Sequence, residues 1–561
     1  MDSYEDVREL LLDGQGDPGT GVDEPHIVAL ARLFEGVAAF VHDCQPQLVP
    51  LFGREAMVCL ITELQAECDS CSDRILTRYK ETKHMQDVLH ALRSETANAR
   101  DLDALLNEIT LLSQRMSAYF DFLNRKGNDV SEIDAENTDE GQQSQKISDA
   151  IKEKLADCSL ANFRRELAGY YNSIESYVMR ENARLAIQID ESNGDDADTS
   201  TAVDDFFFVM QKCFQRAFAF GDTDAEVLRA ILQQVSQCLM NDLLAYMRRR
   251  LRETETALEK ALGGSAAMSS LPTAAFTVSY LTELANKANI SIPGGIEDGS
   301  QESDVAKYDF FVALNNAAVS GEYATRLRSN VEKAIHASPK LSTDDTSFLA
   351  APIAQITDAA RALVLASEHG VSRLASVLLT RVTSAIETSL KEASYLVGET
   401  EYSLDSDATP SFSTEVAQEI ETKVLSVALE KRLTEKNWDA LVRQVAEWYA
   451  NKVESVIFLP PIGSTATVKP FNAFGGLRAD RDVRAISAYF SGKSRRSTVR
   501  DVFGRLSQLA MVVNLERPAE IYDIWGPNAG GMTWRLAPGE VRRTLSLRKD
   551  FNEDAVRALK L

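Results

Sequence analysis

Leu102-Asp103-Ala104-Leu105-Leu106-Asn107-Glu108-Ile109-Thr110-Leu111-Leu112-Ser113-Gln114-Arg115-Met116-Ser117-Ala118-Tyr119-Phe120-Asp121-Phe122-Leu123 is the stretch on which the fold turns. Leu102, Leu105, Ile109, Leu112, Met116, Phe120 and Leu123 recur in steps of three and four. On a helix of 3.6 residues per turn they form one apolar stripe, which needs a second helix to cover it. The same spacing recurs in Ile27, Leu30, Phe34, Val37 and Val41, in Leu167, Tyr170, Ile174 and Tyr177, and in Val499, Phe503, Leu506, Ala510 and Val513. Strand-like alternation is scarce, and no period of 20–50 residues marks a regular solenoid. The reading is an all-α chain, an elongated rod of consecutive antiparallel helical bundles.

Acidic stretches punctuate these helices. Residues 128–145 hold six acids and no base, and residues 190–205 hold seven acids. Residues 291–304 contain Pro293-Gly294-Gly295, and residues 401–414 contain Thr409-Pro410. Such composition buries too little apolar area to offset ordering entropy and reads as loop. The expected divisions are a first bundle (1–127), an acidic linker (128–145) and a second bundle (146–290) with an acidic insert (190–205). A linker (291–304), a third bundle (305–435) and a C-terminal helical cap (436–561) follow.

The 561 residues carry a formal net charge of −24. That argues against general nucleic-acid binding, which needs clustered Lys and Arg to neutralise phosphates. Residues 471–561 nevertheless hold sixteen Lys/Arg against ten Asp/Glu. A basic end on an acidic chain suits an acidic partner or an anionic membrane surface, or is a solvated face. No apolar run approaches the roughly 18–20 residues of a membrane span. The acidic start, Met1-Asp2-Ser3-Tyr4-Glu5-Asp6, lacks a signal-peptide core, so a cytosolic protein is expected.

No motif carries chemistry. The seven cysteines scatter over the first half of the chain, as reduced thiols do. Cys68-Asp69-Ser70-Cys71 has CxxC spacing but lies in a helical pattern, with no second pair and no histidine at ligand spacing, so a helix face is expected there. Gly14-Gln15-Gly16-Asp17-Pro18-Gly19 matches GxGxxG but follows a helical stretch and contains Pro18, so it reads as a loop and not a nucleotide cradle. Asn289-Ile290-Ser291 is a lone glycosylation sequon, silent in a cytosolic protein. GxxxxGK[ST], HExxH and GxSxG are missing, and the six histidines stand apart. The expectation is a protein that is not an enzyme and holds no catalytic set, cofactor or metal.

The last sixty residues are densest in turn signals: Asp523-Ile524-Trp525-Gly526-Pro527-Asn528, Thr533-Trp534-Arg535-Leu536 and Pro538-Gly539-Glu540-Val541-Arg542-Arg543. Trp525 and Trp534 read as aromatic anchors of a packed cap. Arg505 lies among Phe503, Leu506 and Leu509, so its guanidinium needs a partner. Glu540, opening a helix after Pro538, is the expected one. Arg484, Lys493, Arg495, Arg496 and Arg500, with Tyr489 and Phe490 between them, form a candidate patch for an anionic partner. Ser497 and Thr498 with Asp501 resemble a capping box.

These residues carry a resemblance. Arg505-Leu506-Ser507-Gln508, Asn514-Leu515-Glu516-Arg517, Trp525-Gly526-Pro527-Asn528, Thr533-Trp534-Arg535-Leu536 and Glu540-Val541-Arg542 are similar to the conserved oligomeric Golgi complex subunit 4 family. Weaker likenesses lie at Leu33-Phe34-Glu35-Gly36, Glu67-Cys68-Asp69, Glu108-Ile109-Thr110-Leu111, Val178-Met179-Arg180-Glu181, residues 204–217 and Leu314-Asn315-Asn316. The resemblance implies a non-catalytic tethering subunit, peripheral on the cytosolic face of Golgi membranes, acting in retrograde intra-Golgi transport. It implies partnership with subunits 1, 2 and 3 of one lobe and with SNARE and SNARE-regulating proteins. Family members carry a coiled-coil-forming region upstream of Leu33-Phe34-Glu35-Gly36, where this chain has about thirty residues, so the first bundle reads as shortened. The alternative is a regulatory scaffold that binds anionic lipids through its basic C-terminal surface.

Overall fold

The computed structural model describes residues 25–53, 55–132, 151–190, 198–221, 224–263, 299–405, 412–428, 432–460, 469–495, 499–525 and 533–561. Among these the regular structure is helical, apart from the isolated bridges Tyr395–Phe471 and Phe471–Arg548. The chain forms two compact units that interleave in sequence. One holds residues up to 191, 201–244 and 322–361; the other holds 192–200, 245–321 and 362–561.

The first unit contains α1 (Pro25–Phe52), α2 (Glu55–Thr82), α3 (Met85–Arg93), α4 (Ala99–Glu132), α5 (Ser159–Gln188), α6 (Thr201–Gly221) and α7 (Ala225–Gln237). All seven apolar residues of the Leu102–Leu123 stripe on α4 are buried. Helix α4 packs on α1, α5 and α6. Helices α1 and α2 form a hairpin that turns at Gly53, whose φ of 75° favours a residue without Cβ. Cys68 faces the core, and Asp69 beside it accepts the backbone N–H groups of Ser159 (3.0 Å) and Leu160 (3.2 Å). The CxxC segment therefore caps the positive end of α5, which favours a carboxylate. Burial lifts the Cys68 thiol to about 11. Among the described residues no group of His, Cys, Asp and Glu is arranged to hold a metal.

The second unit draws on α8 (Leu244–Gly263), α9 (Gly299–Ala337) and α10 (Thr343–Glu392), then α11 (Glu399–Asp405), α12 (Phe412–Ile420), α13 (Glu435–Val453), α14 (Ala473–Lys493) and α15 (Gly504–Val513). It ends with α16 (Ile521–Ile524), α17 (Pro538–Leu545) and α18 (Glu553–Arg557). Helix α10 differs from the sequence reading, since by length and composition it is apolar enough to cross a membrane. Its buried residues Leu349, Ile356, Leu363, Val371, Leu378, Val382 and Ile386 fall at helical spacing, one stripe of an amphipathic helix, and a third of its most apolar stretch is buried.

Helices also reach into the acidic stretches read as loops. Helix α4 runs to Glu132, α6 starts at Thr201, α9 starts at Gly299 and α11 ends at Asp405. Neighbouring packing overrides weak local composition at such ends. The GxGxxG segment, the sequon, Ser497, Thr498 and residues 133–145, 191–197, 291–298 and 406–411 of the acidic stretches lie outside the described residues.

Candidate functional site

Among the described residues three helices pass directly into π turns: α7 into Cys238–Leu243, α12 into Glu421–Leu425 and α13 into Glu454–Phe458. The last two each begin with a glutamate, and their i+5 bonds run from Ser426 N–H to the Glu421 carbonyl (2.8 Å) and from Leu459 N–H to the Glu454 carbonyl (2.7 Å). A π turn widens the helix and re-aims its side chains. Each glutamate is aimed at the C-terminal helices.

Glu454 meets Arg505, at the start of α15. Arg505 Nε donates to both carboxylate oxygens at 2.9 Å, and Nη2 donates to Oε1 at 2.8 Å. Glu540 approaches the same guanidinium, with Nη2 to Oε1 at 2.5 Å and Nη1 to Oε2 at 3.2 Å. Nη1 also donates to the carbonyl of Arg535 at 2.7 Å. Every donor of this fork has an acceptor. Hydrogen bonds to Glu454, and next to Glu540, push the Arg505 pKa further up. The Arg505 hydrogen bonds hold the Glu540 carboxyl below its ordinary value. Glu540 Oε2 also accepts the Ala537 N–H at 2.8 Å, closing the first turn of α17. Arg505 and Glu540 are thus in direct contact, and Glu454, which the sequence did not suggest, is the larger partner.

Around this hub the segment 533–536 is fixed by backbone contacts. Gln508 Nε2 donates to the Thr533 carbonyl (2.9 Å), and Arg535 N–H donates to Gln508 Oε1 (2.8 Å). Trp534 Nε1 donates to the Ile524 carbonyl at 2.8 Å, and the Trp525 and Trp534 rings lie 4.6 Å apart. Arg548, almost fully buried, donates to the carbonyls of Val513 (2.6 Å) and Leu515 (2.8 Å) and pairs with Asp550 at 2.8 Å. Asn472 caps α14 through Gly475 N–H (2.9 Å). A Cβ at Gly475 would sit 1.7 Å from the Tyr395 carbonyl oxygen, and one at Gly476 would sit 2.6 Å from that of Val513. Those two glycines let three backbone segments converge beneath the cap.

The basic patch does not converge in the same way. Lys493 pairs with Glu421 at 2.8 Å, and Tyr489 donates to the same carboxylate at 2.6 Å. The Lys493 carbonyl accepts Trp438 Nε1 at 2.9 Å. Arg484 pairs with Asp480 at 2.8 Å while staying exposed. The Arg495 N–H donates to Asp439 at 2.7 Å. Arg500 is exposed, and Arg496 lies outside the described residues. Internal carboxylates thus take up part of the excess basic charge of this region.

Two further polar clusters escaped the sequence reading. In the first unit Arg216 donates to Glu175 at 2.7 and 2.8 Å and to Asp103 at 2.7 Å, with Glu175 fully buried. In the second unit buried Asn315 donates to the carbonyls of Asp198 (2.9 Å) and Arg432 (2.7 Å), while its own oxygen accepts Thr434 N–H (3.0 Å) and Asn437 Nδ2 (3.1 Å). Asn316 exchanges two hydrogen bonds with Ser200, at 2.8 and 3.0 Å. The signal was present only as type: an Arg inside the Phe206–Phe220 aromatic run, and an Asn pair inside an apolar helix.

The two halves of the chain match two family models in chain order. COG4 transport protein, middle alpha-helical bundle, matches residues 23–251. Conserved oligomeric Golgi complex subunit 4, C-terminal, matches residues 310–543. The chain belongs to the conserved oligomeric Golgi complex subunit 4 family. It is 27% identical over 573 residues to the Conserved oligomeric Golgi complex subunit 4 of Arabidopsis thaliana, covering 100% of this chain and 68% of that protein. It is 28% identical over 554 residues to the Homo sapiens protein of that name, covering 95% and 66%. The Drosophila melanogaster protein is 24% identical over 571 residues, covering 95% and 68%. The chain thus spans about two thirds of the length of the curated relatives it matches. The subunit 4 C-terminal match contains Arg505 and Glu540, and also Glu454.

Proposed function

We propose that the chain is a non-catalytic subunit of a Golgi vesicle-tethering complex acting in retrograde intra-Golgi transport. The observation that carries this is the ordered match of both subunit 4 models across residues 23–251 and 310–543. The mechanism is geometric. Packed helices hold docking faces at fixed positions, and binding vesicle and target through one assembly raises the effective concentration of the fusion proteins. The Arg505 hub serves as a rigid clamp that presents the cap, and Trp525 and Trp534 shape it. Subunits 1, 2 and 3 of the same lobe, with SNARE and SNARE-regulating proteins, are the partners, on the cytosolic face of Golgi membranes. No cofactor takes part. Depleting the chain in cells tests this. Golgi glycosylation enzymes leave their cisternae and surface glycans are truncated if the reading is right; unchanged enzyme distribution and glycans contradict it.

A further inference from the structure

Helices α3 and α5 leave a groove of about 460 Å³ between them. Its floor is Leu89, Leu92 and the Tyr170 and Tyr177 rings. Along its α5 wall Gly169, Ser173, Ser176 and Arg180 follow at helical spacing, a run of about 16 Å or three turns. A Cβ at Gly169 would meet nothing within 4 Å, so the wall is open. Ser173 bonds only back to the Gly169 carbonyl of its own helix, at 2.9 Å.

The buried guanidinia of Arg216 and Arg548 and that of Arg505 have their donors satisfied. The Arg180 guanidinium makes no hydrogen bond: its Nε is buried without an acceptor, Nη2 forms a loose ion pair of 3.9 Å with the largely exposed Glu95, and the group lies 5.8 Å from the centre of the Tyr177 ring. Arg93, in the last turn of α3, has neither a hydrogen bond nor an ion pair among the described residues. Glu166 is the acidic member of the lining, and it is already held by Lys80 at 3.1 Å and by the Tyr170 hydroxyl at 2.9 Å. In a chain of charge −24, two arginines without hydrogen bonds beside an apolar floor are a local site for carboxylates. Arginine takes up a carboxylate in a bidentate, charge-assisted pair.

We propose that this groove receives an acidic amphipathic helix of another polypeptide in the assembly. Its apolar face lies over Leu89 and Leu92, its backbone approaches closely at Gly169, and its carboxylates pair with Arg93 and Arg180. The groove pairs a floor of two leucines and two tyrosine rings with guanidinium donors on both walls, the complement of a helix with one apolar and one acidic edge. The inference rests on the reading of the chain as a subunit of a larger complex and names one docking surface of that subunit.

The test places the photo-cross-linker p-benzoylphenylalanine at position 173 of the full chain in cells, and identifies the attached peptide by mass spectrometry. The expected product is a peptide of a different, co-purifying subunit with at least two Asp or Glu within two turns of the attachment point. Arg93→Glu with Arg180→Glu lowers the yield at least tenfold. So does Gly169→Leu, whose Cβ meets nothing within 4 Å and whose side chain fills the groove, with the circular dichroism unchanged. Attachment to lipid, to a second copy of this chain, to residues 1–24 of the same chain, or to nothing overturns the groove while co-purification of the subunits stands. A yield indifferent to Gly169→Leu overturns it as well. If no subunit co-purifies with the unsubstituted chain, the proposed function fails and the groove proposal falls with it.

Discussion

Glu454 and Arg505 are joined by three hydrogen bonds of 2.8–2.9 Å across 51 residues of sequence. The carboxylate heads a π turn, and the guanidinium lies in the first turn of α15. Glu540 takes the remaining face of the fork. The end of α13, the start of α15 and the start of α17 are therefore clamped together through one cation with two anions, an arrangement in which neither anion is redundant.

This orders the couplings. Glu454 is less exposed than Glu540 and accepts more hydrogen bonds from Arg505. Replacing Arg505 with Ala leaves both carboxylates uncompensated and costs about 2–3 kcal/mol, the buried-pair figure discounted for partial exposure. In double-mutant cycles followed by urea unfolding, the Arg505–Glu454 coupling exceeds the Arg505–Glu540 coupling. Equal or reversed couplings contradict the hub as described.

The hub also sets an acid limit. Glu540 is held below the usual 4.5, first by Arg505, and Asp550 below 3.8, first by Arg548. A folded-state pKa below the unfolded one gives stability that is complete above the unfolded value and is lost as pH falls through the folded value. Stability is therefore flat in these groups above about pH 5 and declines below about pH 4.5. The Arg505→Ala variant has a shallower decline in the same window, measured by unfolding free energy from pH 6 to pH 3.

The helices were legible because their signal is local. Every residue of the Leu102–Leu123 stripe, and of the three other series read with it, is buried. Pro538 starts α17 and Asn552 caps α18, as their types require. The Arg505–Glu540 contact was readable because one residue sits in an apolar run and the other opens the next helix but one. Glu454 was not, since helix periodicity says which face is buried and nothing about which distant helix covers it. The Arg216–Glu175 and Asn315 clusters were hidden for the same reason. Lys493 looked like a free base because Glu421, its partner, lies 72 residues away.

The buried pair in the first unit gives an independent check. Replacing Arg216 with Ala strands Glu175 in the core and costs about 3–5 kcal/mol. The combined Arg216→Met, Glu175→Leu change recovers most of that loss, because it removes both charges. Thiol labelling of Cys213, buried in the same region, reports the opening rate in each variant.

The glycine approach beneath the cap yields a paired comparison. Gly475→Ala places a Cβ against the Tyr395 carbonyl and costs about 3 kcal/mol or more, since backbone must move. Gly492→Ala, in the same helix with open space around it, is neutral or stabilising by about 0.5 kcal/mol. Thermal melts of the two variants separate close approach from helix propensity.

The most direct measurement is quantitative mass spectrometry of the tagged full chain purified from cells. Stoichiometric recovery of the other subunits of a Golgi tethering complex, reduced severalfold by Arg505→Ala at equal chain abundance, is the predicted result. A chain recovered alone, or with partners indifferent to the loss of the clamp, contradicts the account.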